Sequence, residues 1–323
     1  MAVEYPSRHE VLLAMSAEHV GARYPDGWRD LVPSAWLAGW SPTRFDLGDG
    51  TTEIVTMGEG PPLLLLPPLP GYKEAFLLLA PRLARGHRVI TFDLRERFHG
   101  APTWQALMDD LERVADAHAQ GPAVVMGHSL GAALAMRWAA ERPERVTALV
   151  LTSPFAHARA NGEISWKRWI EQPIVLASLR WSPPTWSRRL ARGYARRGAW
   201  VFDDACRDHA LDFVRHGVRG VPLALARRCV GLAFAHDVRD ALPRITAPTL
   251  LVVGERETRW ARRAAAEVAA LVPHAERATS PGAAHLHPLS APDFLADTVL
   301  GWLARTSGLS RTVGADLGAR FRA

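Results

Sequence analysis

Gly127-His128-Ser129-Leu130-Gly131 places a serine between two glycines, each two residues away. It follows the apolar run "AVVMG" (123–127) and precedes the alanine-rich "AALAMRWAAERPERV". In that strand–turn–helix setting a sharp, strained turn can hold a serine Oγ forward as a nucleophile. Glycines suit the turn because neighbours with side chains would collide, and Ala132 and Ala133 let the following helix approach closely. A serine hydroxyl is a weak nucleophile and needs a base that is itself oriented by an acid. Downstream, "TLLVVGERETRW" ends an apolar run with Glu255 and Glu257 at its C-terminal edge, where catalytic groups gather in open α/β sheets. Further on, "SPGAAHLHPLSAPDF" sets His285 and His287 in a loop of small residues. On residue chemistry alone, either glutamate and either histidine could complete the set.

The elements that must position these residues alternate. "TRFDLGDGTTEIVTMGEG" (43–60) carries Asp-Gly and Glu-Gly turn pairs between short alternating runs and predicts an antiparallel edge hairpin. The runs "LLLL" (63–66), "RVITFDL" (88–94), "AVVMG" (123–127), "VTALVLTS" (146–153) and "PTLLVVGE" (248–255) are continuously apolar, as strands buried on both faces are. Helix-period segments separate several of them: "KEAFLLLAPRLARG", "TWQALMDDLERVADAHA" with Thr103 as N-cap, "RWARRAAAEVAALV" and "DFLADTVLGWLAR". Alternating strands and helices predict a doubly wound parallel sheet. From about 155 to 243 strand character fades, helical patterns take over, and five of the twelve tryptophans cluster, including Trp166, Trp169, Trp181 and Trp186. This reads as a helical cap inserted between two sheet strands.

Domain boundaries follow: an N-terminal helical extension over 1–40, a core over 41–154 and 244–305, the cap over 155–243, and a loose tail over 306–323. Two cysteines make no disulfide framework and have no zinc-site spacing, which fits a reducing cytoplasm. No apolar window reaches the length of a membrane span, and no early apolar segment reads as an export signal. The net charge of +6 is mostly arginine, with lysine only at Lys73 and Lys167, and the segment 155–243 holds 15 basic against 8 acidic residues. A charge confined to one segment argues for an acidic substrate or partner, or a solvated face, rather than nucleic acid. For the basic stretch around 186–200, packing of its Trp and Tyr on the core is expected over contact with a membrane surface.

The stretches "LLLLPPLPG", "VITFDLRERFHG", "MGHSLGAALA", "PTLLVVGERE" and "GAAHLHPLSAPDFL" together resemble the α/β-hydrolase fold superfamily, in particular capped serine hydrolases of the esterase and lipase type. The resemblance runs from about 43 to 304. It implies a mostly parallel sheet of the eight-stranded type flanked by helices, with serine, acid and histidine following in chain order. It selects Ser129 as nucleophile, Glu257 as acid and His285 as base. Glutamate departs from the aspartate usual at that position, Glu255 becomes a turn carboxylate, and His287 becomes structural.

The resemblance also implies an oxyanion hole made by the backbone N–H groups of Leu130 and Leu69. Pro67 and Pro68 stand where relatives usually have His-Gly. In "DLRERFHG", Glu96 replaces a usual glycine, and Asp93 and Arg95 are expected to form a buried structural pair. Pro68, His128, Trp166 and Trp169 are candidates for the substrate pocket, although His99 and His128 also fit as packing residues. No metal-ligand spacing, G-x-G-x-x-G or P-loop is present, so no metal and no cofactor are expected.

The expected function is hydrolysis of a carboxylic ester or thioester through an acyl-serine. The expected substrate is a small molecule with an apolar or aromatic acyl group, and the basic segment adds the option of an acidic or carrier-bound handle. The same triad also serves carbon–carbon bond hydrolysis, lyase and cyclase chemistry, and a protein that has lost turnover could keep the pocket as a ligand binder.

Overall fold

The computed structural model describes residues 39–69, 71–95, 102–158 and 223–320, with isolated positions between 174 and 189. The expectations for the N-terminal extension, for Glu96 and His99, and for Trp166 and Trp169 lie outside the described residues.

Eight strands are described: β1 (Thr43–Asp46), β2 (Thr51–Met57), β3 (Pro62–Leu66), β4 (Arg88–Phe92), β5 (Ala123–His128), β6 (Val146–Thr152), β7 (Thr249–Gly254) and β8 (Glu276–Ser280). They form one sheet in the order β1-β2-β4-β3-β5-β6-β7-β8. The hairpin β1–β2 is antiparallel, and β2 joins β4 antiparallel. Every later pairing is parallel. In β3 the alternation of strand side chains buries Leu64 and Leu66 in one cluster, with Ile90, Val125 and Leu149, and sends Leu63 and Leu65 to the other face, with Val89, Val124 and Val150. All four leucines are fully buried, each worth about 2 kcal/mol of removed apolar surface. That is why the run carries no polar residue.

Among the described residues five longer helices accompany the sheet: α1 (Trp104–Val114), α2 (Leu130–Glu141), α3 (Leu223–Phe234), α4 (Arg259–Leu271) and α5 (Pro292–Arg320). Thr103 caps α1 as expected, its Oγ accepting from Ala106 N–H at 3.1 Å. Thr258 caps α4 in the same way. The helix expected over "KEAFLLLAPRLARG" is instead a 3₁₀ turn, Lys73–Phe76, and one α-turn, Ala80–Leu83. Pro81 has no N–H to continue a helix from Leu77, so the segment restarts there. Residues 306–320, expected as part of a loose tail, continue the backbone of α5. Its glycines lower helix propensity, but no proline interrupts the segment. Of the described side chains in the segment 155–243, Trp181 and Trp186 are 63% and 67% exposed. The expected packing of Trp186 on the core is therefore corrected: the turn closed by its N–H on Pro183 O leaves the indole in solvent.

Candidate active site

The site gathers at the C-terminal ends of β3, β5, β6 and β7. At the end of β5 the chain turns so sharply into α2 that Ser129 takes φ +53° and ψ −109°. Its N–H donates to Thr152 O of β6 at 2.9 Å, which pins the strained residue. The two glycines of the pentapeptide are required by contact rather than by dihedral. A Cβ on Gly127 would lie 2.3 Å from Gly131 O, and one on Gly131 would lie 2.0 Å from Leu66 O. The end of β3 therefore sits directly on the first turn of α2, with Pro67 O also beside Gly131.

Gly254 does the same for the other half of the site, because a Cβ there would meet Ala284 O at 2.4 Å. The loop carrying the histidines can thus cross the end of β7, where Arg256 N–H holds Ala283 O and Glu255 N–H holds Ser280 O. Glu255 is exposed and accepts Gly282 N–H, a turn contact. Glu257 is 3% exposed and points inward.

The three side chains named from the sequence come together. His285 Nε2 lies 3.0 Å from Ser129 Oγ, and His285 Nδ1 lies 2.8 Å from Glu257 Oε1. Burial alone would raise the Glu257 carboxyl, but the His285 charge and hydrogen bond and the Ser153 hydroxyl outweigh it and hold the carboxyl below its usual value. Burial also disfavours protonated His285, and the Glu257 carboxylate overcomes that and raises the imidazole above its usual value. The pair is arranged as a base with its orienting anion, and one more methylene than aspartate does not keep Glu257 from reaching Nδ1.

His287 lies elsewhere. Its Nε2 is 2.9 Å from Ser153 Oγ, and burial pushes its pKa down to about 4. The expectation that His128 lines the pocket is corrected: it is 1% exposed, its Nδ1 lies 3.0 Å from Thr152 Oγ1, and its ring packs against those of His285 and His287. A histidine whose neighbours on the chain form the tight turn has no path outward. Pro67 and Pro68 are buried at the rim, and Pro68 O accepts Gly71 N–H in a turn that leaves Leu69 half-buried. Among the described residues no backbone carbonyl takes the N–H of Leu69 or Leu130.

Asp93 and Arg95 do not pair with each other as expected. Asp93 binds buried Lys73 at 2.8 Å, with Glu53 and Glu74 around the same ammonium. Arg95 instead joins Asp110 and Asp49. Ser153 is the residue the sequence reading missed: it ends the run "VTALVLTS" with nothing local to mark it, and only the packing of β6 beside β7 brings it to Glu257. Among the described residues no cluster of His, Cys, Asp and Glu could hold a metal ion, and no helix is long and apolar enough to cross a membrane.

A mostly parallel sheet with a serine on a strained strand-to-helix turn, a buried carboxylate and an imidazole between them defines the class of α/β hydrolases. Comparison with known proteins agrees: the alpha/beta hydrolase family matches residues 63–298, and the chain belongs to it. Lipase LipV of Mycobacterium tuberculosis is 33% identical over 166 residues, 48% of this chain and 59% of the lipase's length. A pimeloyl-[acyl-carrier protein] methyl ester esterase of Xanthomonas campestris is 28% identical over 78% of this chain and 98% of its own. The solved structure of a thermophilic esterase from Thermogutta terrifontis superposes with a TM-score of 0.66 at 23% identity, covering 82% of this chain and 99% of that one.

Proposed function

We propose that the chain hydrolyses a carboxylic ester or thioester through an acyl-serine intermediate. The observation that carries this reading is the unbroken hydrogen-bond chain from Ser129 Oγ through His285 to Glu257, with contacts of 3.0 and 2.8 Å. Ser129 Oγ attacks the carbonyl carbon while His285 Nε2 takes its proton, and Glu257 steadies the imidazolium. The N–H groups of Leu69 and Leu130 receive the oxyanion. Collapse expels an alkoxide or thiolate, which takes the proton from His285. Water then attacks the acyl-serine with His285 again as base, releasing the acid and restoring Ser129.

An apolar or aromatic acyl group is supported by Phe155, Trp260, Trp104 and Phe234, which gather around Ala133, one turn beyond the nucleophile. An acidic handle or a carrier on the substrate is supported by the arginine-rich cap segment and by the name of the carrier-protein ester relative. The test is labelling by a fluorophosphonate together with turnover of a short p-nitrophenyl ester. Ser129→Ala is expected to abolish both. A parent protein that does not label at Ser129 overturns the reading and favours a ligand binder.

A further inference from the structure

Glu257 Oε1 is shared. Besides His285 Nδ1 at 2.8 Å it receives the Ser153 hydroxyl at 2.6 Å. With that hydroxyl proton given to the carboxylate, Ser153 Oγ accepts, and His287 Nε2–H at 2.9 Å is the donor. Ser153 is 3% exposed and His287 is fully buried, so no solvent competes for these bonds. The chain of contacts therefore has five members: His287, Ser153, Glu257, His285 and Ser129.

The backbone at Ser153 is as unusual as the side chain. Its φ is +48°, one of four positive values at non-glycine residues among those described. Its N–H is tied to Val252 O of β7 at 3.0 Å, as that of Ser129 is tied one strand earlier. Strain of this kind costs roughly 1–3 kcal/mol and persists where the surroundings dictate it. A glycine at 153 would satisfy the backbone at less cost. Serine retained in that conformation supplies a hydroxyl where the carboxylate needs one.

We propose that Ser153 and His287 are positioning residues of the reaction, holding Glu257 Oε1 in line with His285 Nδ1. The proposal rests on the Ser129–His285–Glu257 reading. A buried carboxylate bound only by His285 could swing about its Cγ–Cδ bond and lose the Nδ1–H. The second bond fixes the torsion, and His287 fixes the hydroxyl rotor that makes it. The titratable groups that face one another here are Glu257, His285 and His287 of the chain itself and His128, whose ring lies tilted 5.0 Å from that of His285 and edge-on 5.5 Å from that of His287. His128 is neutral, since burial and the two neighbouring histidines press its pKa well below the usual value.

The experiment reads the rate of fluorophosphonate labelling at Ser129 as a function of pH and reagent concentration, which needs no knowledge of the natural substrate. Ser153→Ala and His287→Leu are each expected to slow the maximal labelling rate about tenfold with the half-saturating concentration unchanged. Ser153→Ala is also expected to move the acid limb to higher pH, because a carboxylate no longer shared with a hydroxyl holds the His285 proton more tightly. His287→Gln keeps an N–H near the position of Nε2 and is expected to restore labelling to within threefold of the parent. A Ser153→Ala protein with the parent's rate and pH profile overturns the proposal, as do equal rates in His287→Gln and His287→Leu if Ser153→Ala fails to fold. Parent protein that labels at Ser129 while the variants behave as parent leaves the triad reading standing. Parent protein that does not label at all overturns both.

Discussion

Two serines end two adjacent strands, and their likeness is close. Ser129 follows β5 with φ +53° and gives its N–H to Thr152 O, while Ser153 follows β6 with φ +48° and gives its N–H to Val252 O. Both hydroxyls meet an imidazole Nε2, at 3.0 and 2.9 Å. What separates them is what lies beyond. Ser129 is half-buried and is followed by the glycine that lets β3 press against α2, so its hydroxyl faces the site. Ser153 is buried, and its proton goes to Glu257. On the proposed reading, the same local geometry yields a nucleophile where the hydroxyl meets a base backed by a carboxylate. It yields an anchor where the hydroxyl meets the carboxylate itself.

The largest expected break in that comparison is Ser129→Ala, which should lower ester turnover by at least about 10³-fold, against roughly tenfold for Ser153→Ala. Steady-state assays of both variants check it.

Next is Gly131→Ala, whose Cβ would strike Leu66 O. It should cost about 3 kcal/mol or prevent folding, whereas Gly301→Ala in the open face of α5 meets nothing within 4 Å and should stabilise by about 0.5–1 kcal/mol. Urea midpoints of the two variants distinguish contact from propensity.

The buried partner of Ser153 gives a pH signature. Unfolded His287 takes up a proton near 6.5, whereas the folded residue does so only near 4. Between those values the unfolded state binds more protons, so stability should fall as pH drops from 6.5 to 4, by about 1.4 kcal/mol per unit. His285, with its pKa raised, acts oppositely: its contribution is full below its unfolded value and fades as pH rises through the folded one. Urea unfolding at pH 7 and pH 5 should show a smaller drop in His287→Gln than in the parent.

The smallest effect sharpens the strain argument. Ser129→Gly should raise stability by about 1 kcal/mol by relieving the positive φ, whereas Ser153→Gly should bring no such gain, because the loss of its hydroxyl leaves Glu257 and the His287 N–H short of a buried partner; the first abolishes labelling and the second only slows it. Thermal unfolding beside labelling rates tests this.

Much of this was legible in the sequence, and unevenly. The five apolar runs became strands because burial on both faces leaves room for few polar residues beyond threonines such as Thr91 and Thr249, which is a strong linear signal. β8, "ERATS", leaves no such signal, because an edge strand with one neighbour is mostly exposed and carries no apolar run. Around Pro81 leucine periodicity continues through a residue that cannot extend a helix, so the pattern there overstates the helix. Asp93 and Arg95, two residues apart, invited a pairing that the fold refused, since each reaches instead to elements 20 and 15 positions away in the chain.

By itself the sequence determined the alternation of elements, the strained serine turn with its two glycines, and the order of serine, acid and histidine. These are local facts, written in side-chain period and steric demand. The resemblance already selected Glu257 over Glu255 and His285 over His287, but only the tertiary structure supplied the physical reason for those choices and placed Ser153 behind the acid. Those choices depend on which strand ends lie side by side and on which loop crosses Gly254. Parallel strands distant in the chain meet through crossovers, and no local pattern records which carbonyl or carboxylate will be waiting there.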